Sequence, residues 1–144
     1  MINLIPMGGK SSRFFDAGYQ INKVNLPVTS FDNGKTYPMA LASILSIPWI
    51  RQKKSKVICV NDREHQFNGL ESAISKEIND VVFIHDHVKL DQAFGCFLAR
   101  EFLLNNSKVI WLNSDVKVLS KRVGKAFNRP MIEGNVETLS LIHI

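Results

Sequence analysis

Cysteine is nearly absent: the 144 residues hold two, Cys59 and Cys96. Two thiols cannot build the bridge framework on which small secreted domains rely. Cys59 stands in a strand-like apolar run and Cys96 in a helical pattern, so both read as reduced core residues of a cytosolic protein. No basic segment precedes the first apolar run, which is too short for a secretion signal. The longest apolar stretch, Tyr37 to Ile50, is interrupted by Ser43, Ser46 and Pro48 and falls short of the about 20 residues that span a bilayer. Aromatic and basic residues do not interleave as they do in single-strand nucleic-acid binders. A cytoplasmic globular chain is expected, with no membrane insertion and no nucleic-acid partner.

The length fits one domain with a real core, and 45% hydrophobic and 22% charged residues are ordinary globular values. The net charge is +5 and the pI about 9.4, which suits anionic small molecules such as nucleotides or sugar phosphates. The lysines and arginines are scattered except between Arg51 and Lys56, a cluster that reads as a solvated loop between a helix and a strand.

The N-terminal stretch organises the rest. Ile2 to Met7 is rich in β-formers and predicts a buried strand. Gly8 and Gly9 permit a sharp turn with exposed N–H groups, Ser11 and Ser12 suit a helix N-cap, and Arg13 to Ala17 predict a short helix. Strand, Gly-rich turn and helix start make an anion site from outward amides, the helix dipole and the charges of Lys10 and Arg13. Neither common phosphate-loop motif fits. A Walker A loop ending in Gly9-Lys10-Ser11 needs glycine where Leu4 stands. A dinucleotide fingerprint starting at Gly9 needs glycine where Ser11 and Phe14 stand.

Helical and strand patterns then alternate. Asn33-Gly34 signals a turn, and Pro38 suits the first turn of a helix with Met39, Leu41, Ala42 and Leu45 on its apolar side and Pro48 at its end. Lys56 to Val60 predicts a strand, Asn61-Asp62 a cap, and Phe67, Leu70, Ala73, Ile74 and Ile78 a helical stripe. Val81 to Ile84 predicts the next strand, closed by His85-Asp86-His87. His85 and His87 share one side of an extended chain, yet no further ligand stands at a recognisable metal spacing. Leu90, Ala93, Phe94, Phe97, Leu98, Phe102 and Leu103 mark the buried side of another helix. In the stretch Lys108 to Asp115 a wholly apolar strand, Val109 to Leu112, runs into Asn113-Ser114-Asp115, and carboxyl ends of strands are where open α/β sheets hold ligands. Ser120 to Asn128 predicts a short basic helix and Arg129-Pro130 a break.

Gly9-Lys10-Ser11-Ser12-Arg13-Phe14 resembles the Gly-x-Gly-Ser/Thr-Arg signature of the sugar-phosphate nucleotidyltransferases, with Ser11 at the second glycine. Ala17-Gly18-Tyr19 and Lys23 follow at suitable spacing. Asn22 and Asn25 stand where the family usually has prolines, which implies a less rigid segment. Gln92-Ala93 resembles the family's base-contacting turn without its glycine, and Asn113-Ser114-Asp115 its metal-binding strand end. Two further likenesses are loose: Gly34-Lys35 before Pro38-Met39, with Thr36 and Tyr37 inserted, and Arg63-Glu64-His65. The resemblance implies a nucleotide-phosphate loop of Met7, Gly8, Gly9, Lys10, Ser11 and Ser12, and base contact by Gln92 and Ala93. Arg13 and Lys23 would neutralise charge as the bond between α- and β-phosphorus breaks, and Asp115 would be a ligand of Mg²⁺.

The alternation predicts an α/β fold, three-layer α/β/α with a mostly parallel sheet. The resemblance refines it to the nucleotide-diphospho-sugar transferase (glycosyltransferase-A, Rossmann-like) type. The implied reaction joins a nucleoside triphosphate to a sugar 1-phosphate and releases pyrophosphate, a step that serves surface polysaccharide synthesis; a homo-oligomer is left open. Two other readings stand beside it. A glycosyltransferase of the same broad fold would more typically carry Asp-x-Asp, where Asn113-Ser114-Asp115 has one carboxylate. A non-catalytic nucleotide-binding or regulatory domain is in keeping with Ser11, Asn22 and Asn25. Residues 1–138 are expected to be the nucleotide-binding part of a truncated domain, lacking its acceptor pocket and second metal carboxylate. Residues 139–144 resemble the read-through of a sequencing adapter and are expected to be a non-native tail. Such a fragment is expected to catalyse nothing alone and to leave an apolar face uncovered.

Overall fold

The computed structural model describes residues 1–30, 33–62, 69–88, 92–105, 108–114, 116–117 and 142–143. The expected first strand, β1, runs Ile2–Pro6 and is followed by α1 (Ser12–Asp16), a 3-10 turn at Lys23–Asn25, β2 (Pro27–Thr29), β3 (Thr36–Pro38) and α2 (Met39–Leu45). Then come β4 (Lys56–Asn61), α3 (Leu70–Glu77), β5 (Val81–His85), α4 (Gln92–Leu98), α5 (Arg100–Leu104) and β6 (Val109–Trp111). β7 (Val116–Lys117) pairs antiparallel with β8 (Ile142–His143).

Four of these strands form one sheet in the order β5-β4-β1-β6, and all its pairings are parallel. β1 is central and buried along its whole length, as a parallel strand covered on both faces should be. Its side chains alternate. Ile5 and Met7 face a core built with Val57 and Cys59 of the sheet, Ala40, Leu41 and Ile44 of α2, and Leu70 and Ile74 of α3. Ile2 and Leu4 face the opposite way, with Ile58 and Val60, onto Ala99, Cys96 and Phe102. The three-layer α/β arrangement is therefore present, with α2 and α3 on one face and α4 and α5 on the other. The chain leaves the centre for β4 and β5 and then returns past β1 to β6. The strand order thus reverses between β1 and β6, the topological switch point of such sheets.

Asn3 is the polar exception inside β1 and is fully satisfied. Trp49 donates its indole N–H to Asn3 Oδ1 (2.9 Å), while Asn3 Nδ2 donates to Ser55 Oγ (2.7 Å) and to the Lys56 carbonyl (3.1 Å). This ties the end of the basic loop to the central strand. Arg51 to Lys54 remain solvated, as expected, with Arg51 paired to Glu77 at 3.1 Å.

Several local expectations are corrected. Around Asn33-Gly34 the chain forms a hairpin of two three-residue strands, β2 and β3, so Pro38 closes a strand and stands at the N-cap of α2 rather than in its first turn. Helix α2 buries Ala40, Ser43 and Ile44 in addition to Met39 and Leu41, whereas Ala42 and Leu45 are only half-buried. In α3 the stripe Leu70, Ile74 and Ile78 is buried, and the helix begins after Gly69 at φ 73°. Phe67, Leu90, Asp91 and the predicted basic helix at 120–128 lie outside the described residues. Ala93 and Phe97 are exposed, Phe97 at 56% with the Arg100 guanidinium 4.3 Å from its ring centre, because the helix lays Gly95 and Ala99 on the sheet and so turns the 93/97 side outward. β6 is an edge strand among the described residues, so its apolar pattern is buried on one side only and Trp111 is 45% exposed.

Gly95 sets how closely α4 lies on the sheet. A Cβ there would meet Val60 Cγ1 at 3.6 Å and Pro6 Cβ at 3.7 Å, ordinary contact distances with nothing to spare for a larger group. Gly95→Ala is expected to be neutral or stabilising by up to about 1 kcal/mol through helix propensity. Gly95→Leu is expected to cost about 1–3 kcal/mol by wedging the layers apart. Urea unfolding of both variants checks this, and equal stability would mean that α4 is not held against β1.

Candidate functional site

A parallel sheet brings all its carboxyl ends to one edge. Here that edge carries Met7 to Gly9 after β1, Asn61 and Asp62 from β4, His85 and Asp86 from β5, and Leu112 to Ser114 after β6. Backbone bonds continue the sheet slightly past its strands: Met7 N–H donates to the Val60 carbonyl (2.6 Å), Asp86 N–H to Asn61 (2.8 Å) and Leu112 N–H to Leu4 (3.0 Å).

Beyond Met7 the pairing stops. The backbone N–H groups from Gly8 to Arg13 donate to no acceptor among the described residues. A run of unspent amides at this edge is a concave donor set for an anion. Lys10, Ser12 and Arg13 are exposed around it. Ser11 is not the side-chain cap the sequence suggests: it sits at φ 54°, ψ 27°, in the left-handed region, and no side-chain cap bond is made. Its carbonyl accepts from Phe14 and Phe15, which starts a five-residue helix with no buried residue. So short a helix adds little dipole, and the loop amides with Lys10 and Arg13 supply most of the positive potential.

The Ser11 hydroxyl reaches sideways. It donates to Asn22 Oδ1 (2.8 Å) and accepts the backbone N–H of Lys23 (3.3 Å). Asn22 is buried, donates Nδ2 to the Gly9 carbonyl (3.3 Å) and caps the 3-10 turn by accepting Val24 N–H (3.3 Å). The segment expected to be loose is therefore bonded to both ends of the glycine loop, and Lys23 is the residue held beside it. Asn25 differs: its backbone N–H donates to the Asn22 carbonyl (2.9 Å), and its amide atoms have no partner among the described residues.

Gly8 backs onto Asp86. A Cβ at Gly8 would stand 3.1 Å from Asp86 Oδ2, and Asp86 is buried with Oδ1 accepting Val88 N–H (2.9 Å). Gln92 and Ala93 open α4 and are both exposed. Gly95, one turn on, lies over Pro6 and Val60, so this helix start belongs to the same edge as the loop. Asp115 lies outside the described residues; Ser114, just before it, is buried and its carbonyl accepts the Ser43 hydroxyl (3.0 Å).

One polar cluster was not read from the sequence. Glu71 Oε1 accepts Asn61 Nδ2 (2.8 Å) and meets His85 Nε2 (2.8 Å), joining α3 to the ends of β4 and β5. The only prior signal was polar residues closing two apolar strands. Asn61 thus serves Glu71, and any cap it gives to residues 63–68 lies outside the described residues. The His85 and His87 ring centres are 6.4 Å apart, and no group of three His, Cys, Asp or Glu side chains gathers for a metal among the described residues. Burial raises the thiol pKa of Cys59 and Cys96, for Cys59 with added repulsion from Glu71, so neither is a ready nucleophile at neutral pH. No helix among the described residues is long and apolar enough to cross a membrane.

The two glycines of the loop are expected to respond differently. Gly8→Ala should cost about 1–2 kcal/mol, because buried Asp86 must give way. Gly9→Ala, with nothing within 4 Å of its Cβ, should stay within about 0.5 kcal/mol of wild type. Thermal unfolding of the two variants side by side decides it; equal losses would remove Asp86 from the loop's support. Compared with known proteins, the chain matches no family model and no curated protein.

Proposed function

We propose that this chain carries the nucleotide-binding part of a sugar-phosphate nucleotidyltransferase of the glycosyltransferase-A type. The observation that carries the reading is the run of unspent backbone amides from Gly8 to Arg13 at the carboxyl end of the central parallel strand, beside the switch point and bonded to the Lys23 segment. Triphosphate oxygens are the ligand such donors suit, and Lys10, Arg13 and Lys23 add full charges. Gln92 and Ala93, exposed at the same edge, are the proposed contacts of the base.

In the proposed reaction a sugar 1-phosphate oxygen attacks the α-phosphorus in line. The new O–P bond forms as the bond from α-phosphorus to the bridging oxygen breaks, and pyrophosphate leaves with the electron pair. No covalent enzyme intermediate is needed, so positioning and charge neutralisation do the work. Gly8 to Ser12 hold the phosphates, while Met7, its N–H spent on Val60 and its side chain in the core, only anchors the loop, and Arg13 and Lys23 face the charge that moves onto the leaving group. Mg²⁺, when bound, would neutralise phosphate charge. Asp115 is its proposed protein ligand, in keeping with an ion that keeps phosphate and water oxygens in its shell. The hydrogen bond from Ser43 anchors the backbone immediately before it.

Arg13→Ala and Lys23→Ala are each expected to lower turnover about 100-fold or more in a full-length version that includes the acceptor site. The assay is pyrophosphate release from each nucleoside triphosphate with a panel of sugar 1-phosphates. Near-native rates in a folded variant would remove that residue from the chemistry, and no release with any pair would reduce the protein to a binding domain. Asp115→Asn is expected to weaken Mg²⁺-supported nucleotide binding about tenfold or more, measured by calorimetry with and without Mg²⁺. Equal affinity would assign Asp115 a structural role.

A further inference from the structure

We infer that Ser11 and Asn22 act as one coupled positioning pair, a hydrogen-bonded clasp that fixes the segment bearing Lys23 against the glycine loop. The inference rests on the nucleotide reading above for what the clasp serves, but its own grounds are geometric. Four bonds converge on two side chains: Ser11 Oγ to Asn22 Oδ1 (2.8 Å), Lys23 N–H to Ser11 Oγ (3.3 Å), Asn22 Nδ2 to the Gly9 carbonyl (3.3 Å) and Val24 N–H to Asn22 Oδ1 (3.3 Å). Each side chain binds the other and also the backbone on the far side of the junction. Removing one therefore strands the other, and the two act as a unit.

The backbone angles give a second, independent line. Ser11 holds φ 54°, a conformation that suits glycine and that serine adopts only with local support. Asn22 holds φ −61° and ψ 142°, values that proline adopts without strain, and its N–H donates to no acceptor among the described residues. The same path is thus open to two solutions. A glycine would enter the turn without strain and a proline would fix φ at position 22 by its ring, whereas Ser11 and Asn22 hold the path by side-chain bonds. Asn25 does not share this property, because proline there would forfeit the bond from its N–H to the Asn22 carbonyl. A serine or an asparagine placed alone should fail, since each relies on the other.

The test is a mutant cycle on the full chain read in two ways. Amide hydrogen exchange is measured at Lys23 and Val24, and inorganic pyrophosphate binding is measured by calorimetry. Ser11→Ala and Asn22→Ala should each speed exchange at both amides and weaken pyrophosphate binding by roughly tenfold, with the double variant no worse than the worse single. The paired variant Ser11→Gly with Asn22→Pro should restore pyrophosphate affinity to within about threefold, because it supplies the same angles by other means. A loss of mere bulk or stability would not be rescued in this way, and circular dichroism confirms that each variant is folded. Additive effects, unchanged exchange in the alanine variants, or failure of the Gly/Pro pair to restore binding would each overturn the clasp. If wild type binds no pyrophosphate, the nucleotide reading falls, and the exchange cycle alone decides whether Ser11 and Asn22 are coupled.

Discussion

The register of β1 is the constraint on which the rest depends. A parallel strand paired on both edges and packed on both faces cannot slip by one residue without exchanging its two sets of side chains. Asn3 makes that penalty steep. In the native register it meets Trp49, Ser55 and the Lys56 carbonyl. One residue out, it would face the apolar layer of Ile58, Val60 and Ala99 with nothing to bond, and Leu4 would be pressed against Ser55. A buried amide left unsatisfied costs about 1–3 kcal/mol, so one polar residue inside the strand specifies the pairing as firmly as the hydrophobic ones drive it. The site depends on that choice because the register fixes where Met7 ends and where the loop of amides begins.

The loop itself holds little of the folding energy. α1 buries no residue, and the side chains of Lys10, Ser12 and Arg13 are in water. A surface loop of that kind would ordinarily be soft. Its path is defined instead from beneath and from the side: Gly8 lies against buried Asp86, and Asn22 bonds the Gly9 carbonyl and the Ser11 hydroxyl. The backbone donors are left unspent while the carbonyl of Gly9 is taken. That asymmetry favours a negative ligand, since the acceptor that would repel it already has a partner.

The alternation of strand and helix patterns was legible because it reflects period and burial, and both persist in the layers around β1. Parallel pairing followed from apolar runs long enough to be covered on both faces. The β2–β3 ribbon was not legible, because three-residue strands carry no periodic signal and only their turn does. The face of α4 was misread at Ala93 and Phe97, because the residue that lies on the sheet is Gly95, which has no side chain and so gives no apolar signal. The clasp was hidden for another reason. Ser11 and Asn22 are far apart in sequence, and polar residues of this kind read singly as departures from a pattern. Only their contact makes them a pair.

Pro6 explains why β1 parts from β6 where it does. Along β1 the N–H of Ile2 points to the Lys108 carbonyl, on the β6 side, and alternate residues share that direction. Position 6 would therefore donate toward β6, and proline has nothing to donate. The ladder to β6 accordingly closes with Leu4 opposite Trp111 and the bond from Leu112 N–H to the Leu4 carbonyl. On the other edge, Met7 N–H still reaches the Val60 carbonyl at 2.6 Å, and the ladder to β4 runs two residues further, to Pro6 opposite Val60. The strand is thus released on the side of the switch point first. A residue with an N–H at position 6 could extend the β6 ladder past the point where the glycine loop must turn away. The proline removes that option, and the turn at Gly8 begins beside a gap that the backbone cannot close.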